Sequence, residues 1–178
     1  MKALAALLPL ALSIAGCGLQ PMYAGGASSP VATSLASVQV GPIEGKAGWL
    51  MRNALNDRLG VGRTGSSARY RLDVRLDDKL EGLGLRANDT ITRERRTLRA
   101  RYQLIDSLSG EIVHDATAGS DAGIDVVSSE YATIAAEQTA LENLARDVAE
   151  RIVTDLARQF RNGAPAPTTA AAPLPPKP

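Results

Sequence analysis

Apolar residues recur three and four positions apart in two segments of the chain, residues 47–60 and 130–161. This spacing places apolar side chains on one face of an α-helix, so the pattern predicts two amphipathic helices. We expect Gly60 to end the first and Ser128 or Ser129 to cap the second, which would be about 48 Å long. The apolar stripe of the second helix is predicted to comprise Ile134, Leu141, Leu144, Ala145, Val148, Ile152 and Leu156.

Other segments alternate between apolar and polar residues. This two-residue period is typical of a β-strand with one buried and one solvated face. The longest such segment is predicted to point Leu98, Ala100, Tyr102 and Leu104 inward. The pattern predicts four strands, at residues 38–40, 70–77, 90–106 and 111–118.

The predicted order is therefore strand, helix, three strands, helix. It indicates an α+β fold, a two-layer sandwich in which two helices pack on one face of a four-stranded, mainly antiparallel sheet. We expect a single domain over residues 35–162, with residues 80–86 extending the second strand past a bulge at Gly82 or Gly84. The opposite face of the sheet is left to solvent and carries the charged residues.

The two ends of the chain differ in composition from the centre. Residues 17–34 are rich in Gly, Ser, Ala and Pro, which is typical of a flexible tether. Residues 163–178 are rich in Pro and Ala, and we expect this tail to be disordered. At the start, Lys2 precedes an Ala/Leu-rich run that is shorter than the roughly 20 residues of a membrane-spanning helix. Residues 1–16 are therefore predicted to be a signal peptide.

The only cysteine of the chain directly follows that run. The segment from Ile14 to Cys17 resembles the lipobox of bacterial lipoproteins, which implies lipid attachment at Cys17 and anchoring by acyl chains. Gly18, where retained lipoproteins carry Asp, favours release to the outer membrane. The alternative is an ordinary signal peptide followed by an incidental free thiol. With one cysteine, neither a disulfide nor a cysteine-based metal site is possible.

Charge and catalytic chemistry exclude several classes of protein. Lys and Arg number 20 and Asp and Glu 19, so bulk charge argues against a general nucleic-acid binder. His114 stands alone on a predicted strand, and no nucleophile with an orienting acid is marked in the sequence. We expect His114 to be a surface or boundary residue. Trp49 lies off the apolar stripe of the first helix, and we expect it to pack at the boundary between core and surface. The sequence thus predicts no enzyme activity, no cofactor and no metal.

Four arginines at alternate positions of the strand at residues 90–106 lie on the exposed face of the predicted sheet and are called the stripe here. Guanidinium groups bind phosphate through paired hydrogen bonds, and alternate strand residues lie about 6.6 Å apart. Such a stripe could bind several phosphates of a glycolipid, or another anion. The candidate ligand-binding residues are Arg93, Arg95, Arg99 and Arg101. The alternative is a solvated face on which Asp73 and Asp77 pair with some of these arginines across strands, although the acids there are fewer than the bases.

Several segments together resemble the lipopolysaccharide (LPS)-assembly lipoprotein family (LptE, formerly RlpB-like) in its alphaproteobacterial form. The resemblance covers about residues 17–161 and rests on "CGLQPMYAGG", "WLMRNALNDRL", "YRLDVRL", "RERRTLRARYQLID" and "SSEYATIAAEQTALENLARDVAERIVTDLA".

The resemblance implies a non-enzymatic lipoprotein on the periplasmic face of the outer membrane. Members of the family plug an LPS-assembly β-barrel, LptD, and assist both barrel assembly and delivery of LPS to the outer leaflet. The implied partners are this barrel, LPS and the membrane itself, with no nucleic acid. The resemblance also implies a basic LPS-binding region that corresponds to residues 93–101.

Two other functions remain open at this point. The chain could be an auxiliary lipoprotein of an ABC-type phospholipid or solute transport system, which an inner-membrane partner would distinguish. It could also be a cell-wall enzyme, in which case hydrolysis would depend on His114.

Overall fold

The computed structural model describes residues 29–60, 68–85 and 91–163. The predictions for Cys17, for the signal peptide and for residues 164–178 fall outside the described residues. Within them the elements are α1 (Pro30–Ala36), β1 (Val38–Val40), α2 (Gly45–Leu59), β2 (Tyr70–Leu85), β3 (Ile91–Asp106), β4 (Ile112–Asp125) and α3 (Glu130–Arg161). The predicted α+β fold is confirmed, with one additional helix.

The four strands form one sheet in the order β1-β2-β3-β4. β1 and β2 pair in parallel, because α2 carries the chain back between them, and the other pairs are antiparallel. The expected glycine bulge in β2 is wrong: Gly82 lies opposite Glu94 in the same register that pairs Tyr70 with Asp106. A glycine permits a bulge without requiring one, and the long hairpin keeps its ladder intact. The register shift occurs instead between β3 and β4, at Leu104 and Ile105.

The core lies between one face of the sheet and the helices α2 and α3. The inward residues predicted for β3 are all buried, with Leu98, Ala100 and Leu104 at 0% exposure. The prediction for Ile134 is wrong, because this side chain is 43% exposed. Near the start of α3 the inner face of the sheet carries Arg96, which binds the Glu137 carbonyl oxygen, and continuous burial of the helix stripe begins near Ala140.

The helix α1 was not predicted, and most of it falls in the segment that we expected to be a tether. Ser29 caps it by accepting a hydrogen bond from the Ala32 amide, and Pro30 occupies its first turn. Its one buried residue, Leu35, joins the core. The Ser-Pro pair is a helix-start signal that the composition of the surrounding segment obscured.

The predicted ends of the longer helices are confirmed. Ser129 accepts a hydrogen bond from the Ala132 amide at the start of α3, and Gly60 ends α2 in a left-handed conformation with φ 71°. Within α2, Gly48 allows close packing, because a Cβ there would lie 2.5 Å from the Ile43 carbonyl oxygen. In the described segments, none of the helices combines the length and apolarity needed to cross a bilayer.

Candidate anion-binding face

The side of the sheet turned away from the helices, called the outer face here, receives the alternate side chains of each strand. The stripe residues Arg93, Arg95, Arg99 and Arg101 all lie there and are exposed, as the alternation predicts. Their neighbours on the same strand, such as Leu98 and Tyr102, are buried beneath the helices. The structure therefore brings the predicted arginines together on one open surface.

Carboxylates of β4 pair with three of these arginines. Arg93 lies 3.3 Å from Asp125, and Arg95 lies 3.8 Å from Asp121. Arg101 forms two hydrogen bonds to Asp115, of 3.2 and 2.9 Å. Each pair joins neighbouring strands across the outer face.

The expected cross-strand pairs from β2 are wrong. Asp73 binds Arg71 of its own strand at 3.0 Å, and Asp77 lies 3.3 Å from Lys79. Asp73 lies opposite Gln103 and not opposite an arginine, and Asp77 lies opposite Arg99 but approaches Lys79 of its own strand. The acids that pair with the stripe come instead from β4, on the other side of β3.

The acids of the outer face nearly balance its bases, contrary to the sequence-based expectation. The basic set is Arg71, Arg75, Lys79, Arg93, Arg95, Arg99 and Arg101; the acidic set is Asp73, Asp77, Glu81, Asp115, Asp121 and Asp125. The expectation failed because β4 was predicted to end near residue 118, whereas it continues to Asp125. The extension adds two carboxylates.

The pair between Arg101 and Asp115 has the clearest electrostatic signature on this face. The hydrogen bond from Arg101, together with one from Gln103, lowers the pKa of the Asp115 carboxyl below its ordinary value, although desolvation opposes the shift. Arg101 itself remains 47% exposed. An ion pair with such an exposed arginine stabilises a fold by only about 0–1 kcal/mol, so breaking it would cost little stability.

Arg99 differs from the other stripe residues. It lies opposite Asp77 on one side and Gly119 on the other. In the part of the chain that the structure describes, no ion pair or hydrogen bond of its guanidinium group is found. It is thus the stripe residue with the most donors left for a ligand.

Arg96 lies on the inner face and has a structural role. Its guanidinium group makes two hydrogen bonds to Asp78, of 2.9 and 2.7 Å, and a third of 3.1 Å to the Glu137 carbonyl oxygen of α3. The hydrogen bonds to Asp78 raise the pKa of Arg96. This arginine fastens the far part of the sheet to the long helix.

His114 is not an isolated boundary residue. The expected boundary position is confirmed, since 17% of its side chain is exposed, but the residue has partners. Its Nε2 lies 2.7 Å from Oδ2 of Asp155, and the same oxygen accepts a 2.7 Å hydrogen bond from the Tyr102 hydroxyl. Burial opposes ionisation of Asp155, but the hydrogen bonds from Tyr102 and His114 outweigh it and lower the pKa of this carboxyl. Burial and the bond to Asp155 raise the pKa of Tyr102. The sequence signal for this cluster is an aspartate between the buried Ile152 and Leu156 of α3.

The cluster links β3 and β4 of the sheet to α3 through the two hydrogen bonds that meet at Asp155. Among the described residues, no group of three or more His, Cys, Asp and Glu side chains is placed to hold a metal ion.

Comparisons with known proteins agree with this architecture. A family model described as LptE, lipopolysaccharide-assembly, matches residues 35–156. A solved structure of a candidate lipoprotein from Caulobacter crescentus CB15 has a TM-score of 0.62 and 30% identity, covering 74% of this chain and 96% of the other. No curated protein matches the sequence.

Two more distant structures share the fold. A minor lipoprotein from Acinetobacter baumannii has a TM-score of 0.55 and 14% identity over 69% of this chain and 91% of its own. The rare lipoprotein B from Shewanella oneidensis has a TM-score of 0.54 and 12% identity over 70% and 95%.

Proposed function

Because the chain belongs to the LptE family of lipopolysaccharide-assembly proteins, we propose that it is an outer-membrane lipoprotein that plugs the LPS-assembly β-barrel, an LptD-like protein. A part in LPS assembly follows from the family. The finer role is that of a non-catalytic subunit, which assists barrel assembly and helps deliver LPS to the outer leaflet by contact. The family match, which spans nearly the whole folded region, carries this proposal.

The outer face supports a position inside a barrel. A porin-type lumen is lined with polar residues and water, so a plug should be rigid and should present charges of both signs. The outer face has this property, since its bases and acids nearly balance and many are already paired across strands. The buried core beneath it keeps the surface rigid.

Co-purification tests the partner. Membranes from cells that express a tagged full chain are solubilised in mild detergent, and the captured proteins are identified by mass spectrometry. We expect a β-barrel of several hundred residues in stoichiometric amount. Recovery of the chain only as a monomer would contradict the proposal, and capture of an inner-membrane permease would favour the ABC-type alternative.

Lipid attachment at Cys17 is a separate part of the proposal, since this residue lies outside the described structure. It is supported by the lipobox-like segment that ends at Cys17. We expect the Cys17→Ala variant to remain unprocessed or to become soluble in the periplasm, as judged by membrane fractionation and intact-mass measurement. Unchanged membrane attachment of this variant would contradict lipid attachment at Cys17.

Contact with LPS is proposed for the stripe Arg93, Arg95, Arg99 and Arg101. Charge reversal by Arg95→Glu with Arg99→Glu should weaken LPS binding more at low salt than at high salt, because salt shortens the reach of exposed charges. A matched control reverses two exposed charges on α3, Arg146→Glu with Arg161→Glu, and changes the net charge equally. Equal effects of the two double variants would show that bulk charge, and not the stripe, governs binding.

The same proposal makes the protein non-enzymatic. The ring of His114 is hydrogen-bonded to Asp155, and the Tyr102 hydroxyl donates to the same carboxylate. Hydrolysis of peptidoglycan or lipid by the purified chain, abolished in His114→Ala but not in Arg101→Ala, would contradict this part.

A further inference from the structure

A surface depression of about 330 Å³ lies beside the edge strand β4, where α3 passes over it. Two arginines from different elements line it, Arg99 of β3 and Arg151 of α3. Three residues with hydroxyl groups also line it, Thr97, Thr117 and Ser120. The depression therefore combines two cations with several neutral hydrogen-bond donors.

These two arginines differ from the paired arginines around them. Within the described segments, Arg99 and Arg151 have no carboxylate within ion-pair distance, whereas Arg93, Arg95 and Arg101 each have one. Arg151 donates one hydrogen bond through Nη1 to the Gly119 carbonyl oxygen. A guanidinium group has five N–H donors in a planar fork, so both arginines retain donors for a ligand.

Gly119 shapes the depression. A Cβ at this position would lie 3.2 Å from Cγ of Arg99 and 3.4 Å from the Leu98 carbonyl oxygen. Without a side chain, the strand lets the stem of Arg99 lie across it toward the edge. Arg151 reaches the same residue from the helix by binding its carbonyl oxygen. One glycine thus lies against both cations.

We propose that this depression binds a single phosphate group, with Arg99 and Arg151 as its charged ligands. Guanidinium groups match phosphate in charge and in the geometry of paired donors. The phosphate could belong to a lipid headgroup or be free in solution, and both sources present the same oxygens to the site. This proposal keeps one arginine of the proposed LPS-binding stripe, Arg99, and adds Arg151 of α3. The identification of LPS as the source of the phosphate rests on the proposed function, whereas phosphate binding by the depression does not.

Asp121 opposes the bound anion and provides a gain-of-affinity test. It lines the depression, and its carboxylate lies 3.8 Å from Arg95. Removing this negative charge should strengthen phosphate binding, because a like charge nearby disfavours an anion. We therefore expect Asp121→Asn to lower the Kd for phosphate severalfold.

The first experiment measures inorganic phosphate and pyrophosphate binding to the full chain in non-ionic detergent by calorimetry. We expect saturable binding that Arg99→Ala and Arg151→Ala each weaken by about tenfold or more, since a charge-assisted hydrogen bond is worth roughly 1.5–3 kcal/mol. The control Arg93→Ala removes a stripe charge that is already paired and should change the Kd by about twofold or less. Absence of saturable binding, or equal effects of all three variants, would overturn the proposal.

A second pair of variants tests the shape of the site with no change in charge. Gly119→Ala places a methyl group 3.2 Å from Cγ of Arg99 and should weaken binding severalfold, because the Arg99 stem must move aside. Gly123→Ala is the control on the same strand and face, where a Cβ meets only Nε of Arg93 at 3.7 Å and Nη2 at 4.0 Å. Circular dichroism verifies folding of both variants. Identical phosphate affinities in the two would also overturn the proposal.

A final measurement separates the two sources of phosphate. Lipid A micelles and enzymatically dephosphorylated lipid A micelles are titrated against the wild type and Arg151→Ala. A preference for phosphorylated lipid A that Arg151→Ala abolishes assigns the site to the glycolipid headgroup. Phosphate binding without that preference assigns it to a free anion. Either outcome supports the site, and neither depends on capture of the barrel, which tests the proposed function separately.

Discussion

The two faces of β3 differ in what surrounds their side chains. On the inner face, Leu98, Ala100, Tyr102 and Leu104 are at most 2% exposed. On the outer face, the side chains of Arg93, Arg95 and Arg101 keep 64, 54 and 47% of their area exposed. Burial of apolar surface contributes about 25 cal/mol per Å², whereas exposed ion pairs contribute about 0–1 kcal/mol. The inner face therefore specifies the fold, and the outer face can change its charges at little cost in stability.

The largest expected effect comes from the centre of the inner face. Leu104→Ala should lower the free energy of unfolding by about 2–5 kcal/mol, because it removes a side chain of 0% exposure and leaves a cavity. Urea unfolding followed by circular dichroism measures this loss. A loss below about 1 kcal/mol would mean that the core does not lie where the structure places it.

Arg96 and Arg95 are adjacent in sequence and lie on opposite faces, which makes them a direct test of the comparison. Arg96→Ala should cost about 1–3 kcal/mol of unfolding free energy, because Asp78 and the Glu137 carbonyl oxygen lose a partly buried partner. Arg95→Ala should cost about 0–1 kcal/mol. Equal losses in the two variants, measured by the same urea unfolding, would show that arginines on the two faces contribute equally to stability.

The hydrogen bond from Tyr102 to Asp155 should contribute about 0.5–1.5 kcal/mol, and its contribution should depend on pH. The pKa of Asp155 is lowered by folding, so the ionised carboxylate stabilises the fold above its ordinary value of 3.8. This stability is lost as the pH falls below 3.8 and through the folded pKa. The difference in the free energy of unfolding between the wild type and Tyr102→Phe should therefore be largest at neutral pH and smallest in acid.

Tyr70→Phe is the control for this pH dependence. Tyr70 lies on the same face of the sheet, and its ring packs against Phe160 with centroids 5.4 Å apart. Its variant should show no comparable change between pH 7 and pH 3 in urea unfolding. A pH-independent loss in Tyr102→Phe would argue that Asp155 is not the acceptor that matters.

The smallest expected effect belongs to Arg101→Ala, at about 0–1 kcal/mol. Its partner Asp115 is held by Gln103 as well, through a 2.9 Å hydrogen bond, so the carboxylate keeps one donor. We expect the loss to shrink further as salt is added, because the Arg101 side chain is 47% exposed and salt screens exposed charges. Unfolding measured at low and high salt would reveal a larger, salt-independent loss if this pair were instead part of the core.

Local periodicity in the sequence determined which face of each strand is buried, where α2 and α3 lie and how they are capped. These features depend on residues within a few positions of one another, so a single sequence is sufficient to predict them. It did not predict α1, whose Ser-Pro start lies in a low-complexity segment. Nor did it predict the full length of β4, whose later residues are mostly Ala, Gly and Ser and alternate only weakly between apolar and polar side chains.

Only the tertiary structure decided which charges meet. The pairs of Arg93, Arg95 and Arg101 depend on the register between β3 and β4, and a shift by one residue would place different side chains opposite them. Likewise, the sequence presents Arg151 as one more solvated helix residue, and only the path of α3 over the β4 edge brings it to Arg99. Which side chains share a face follows from the local geometry of the backbone. Which charged side chains pair depends on how distant segments pack together.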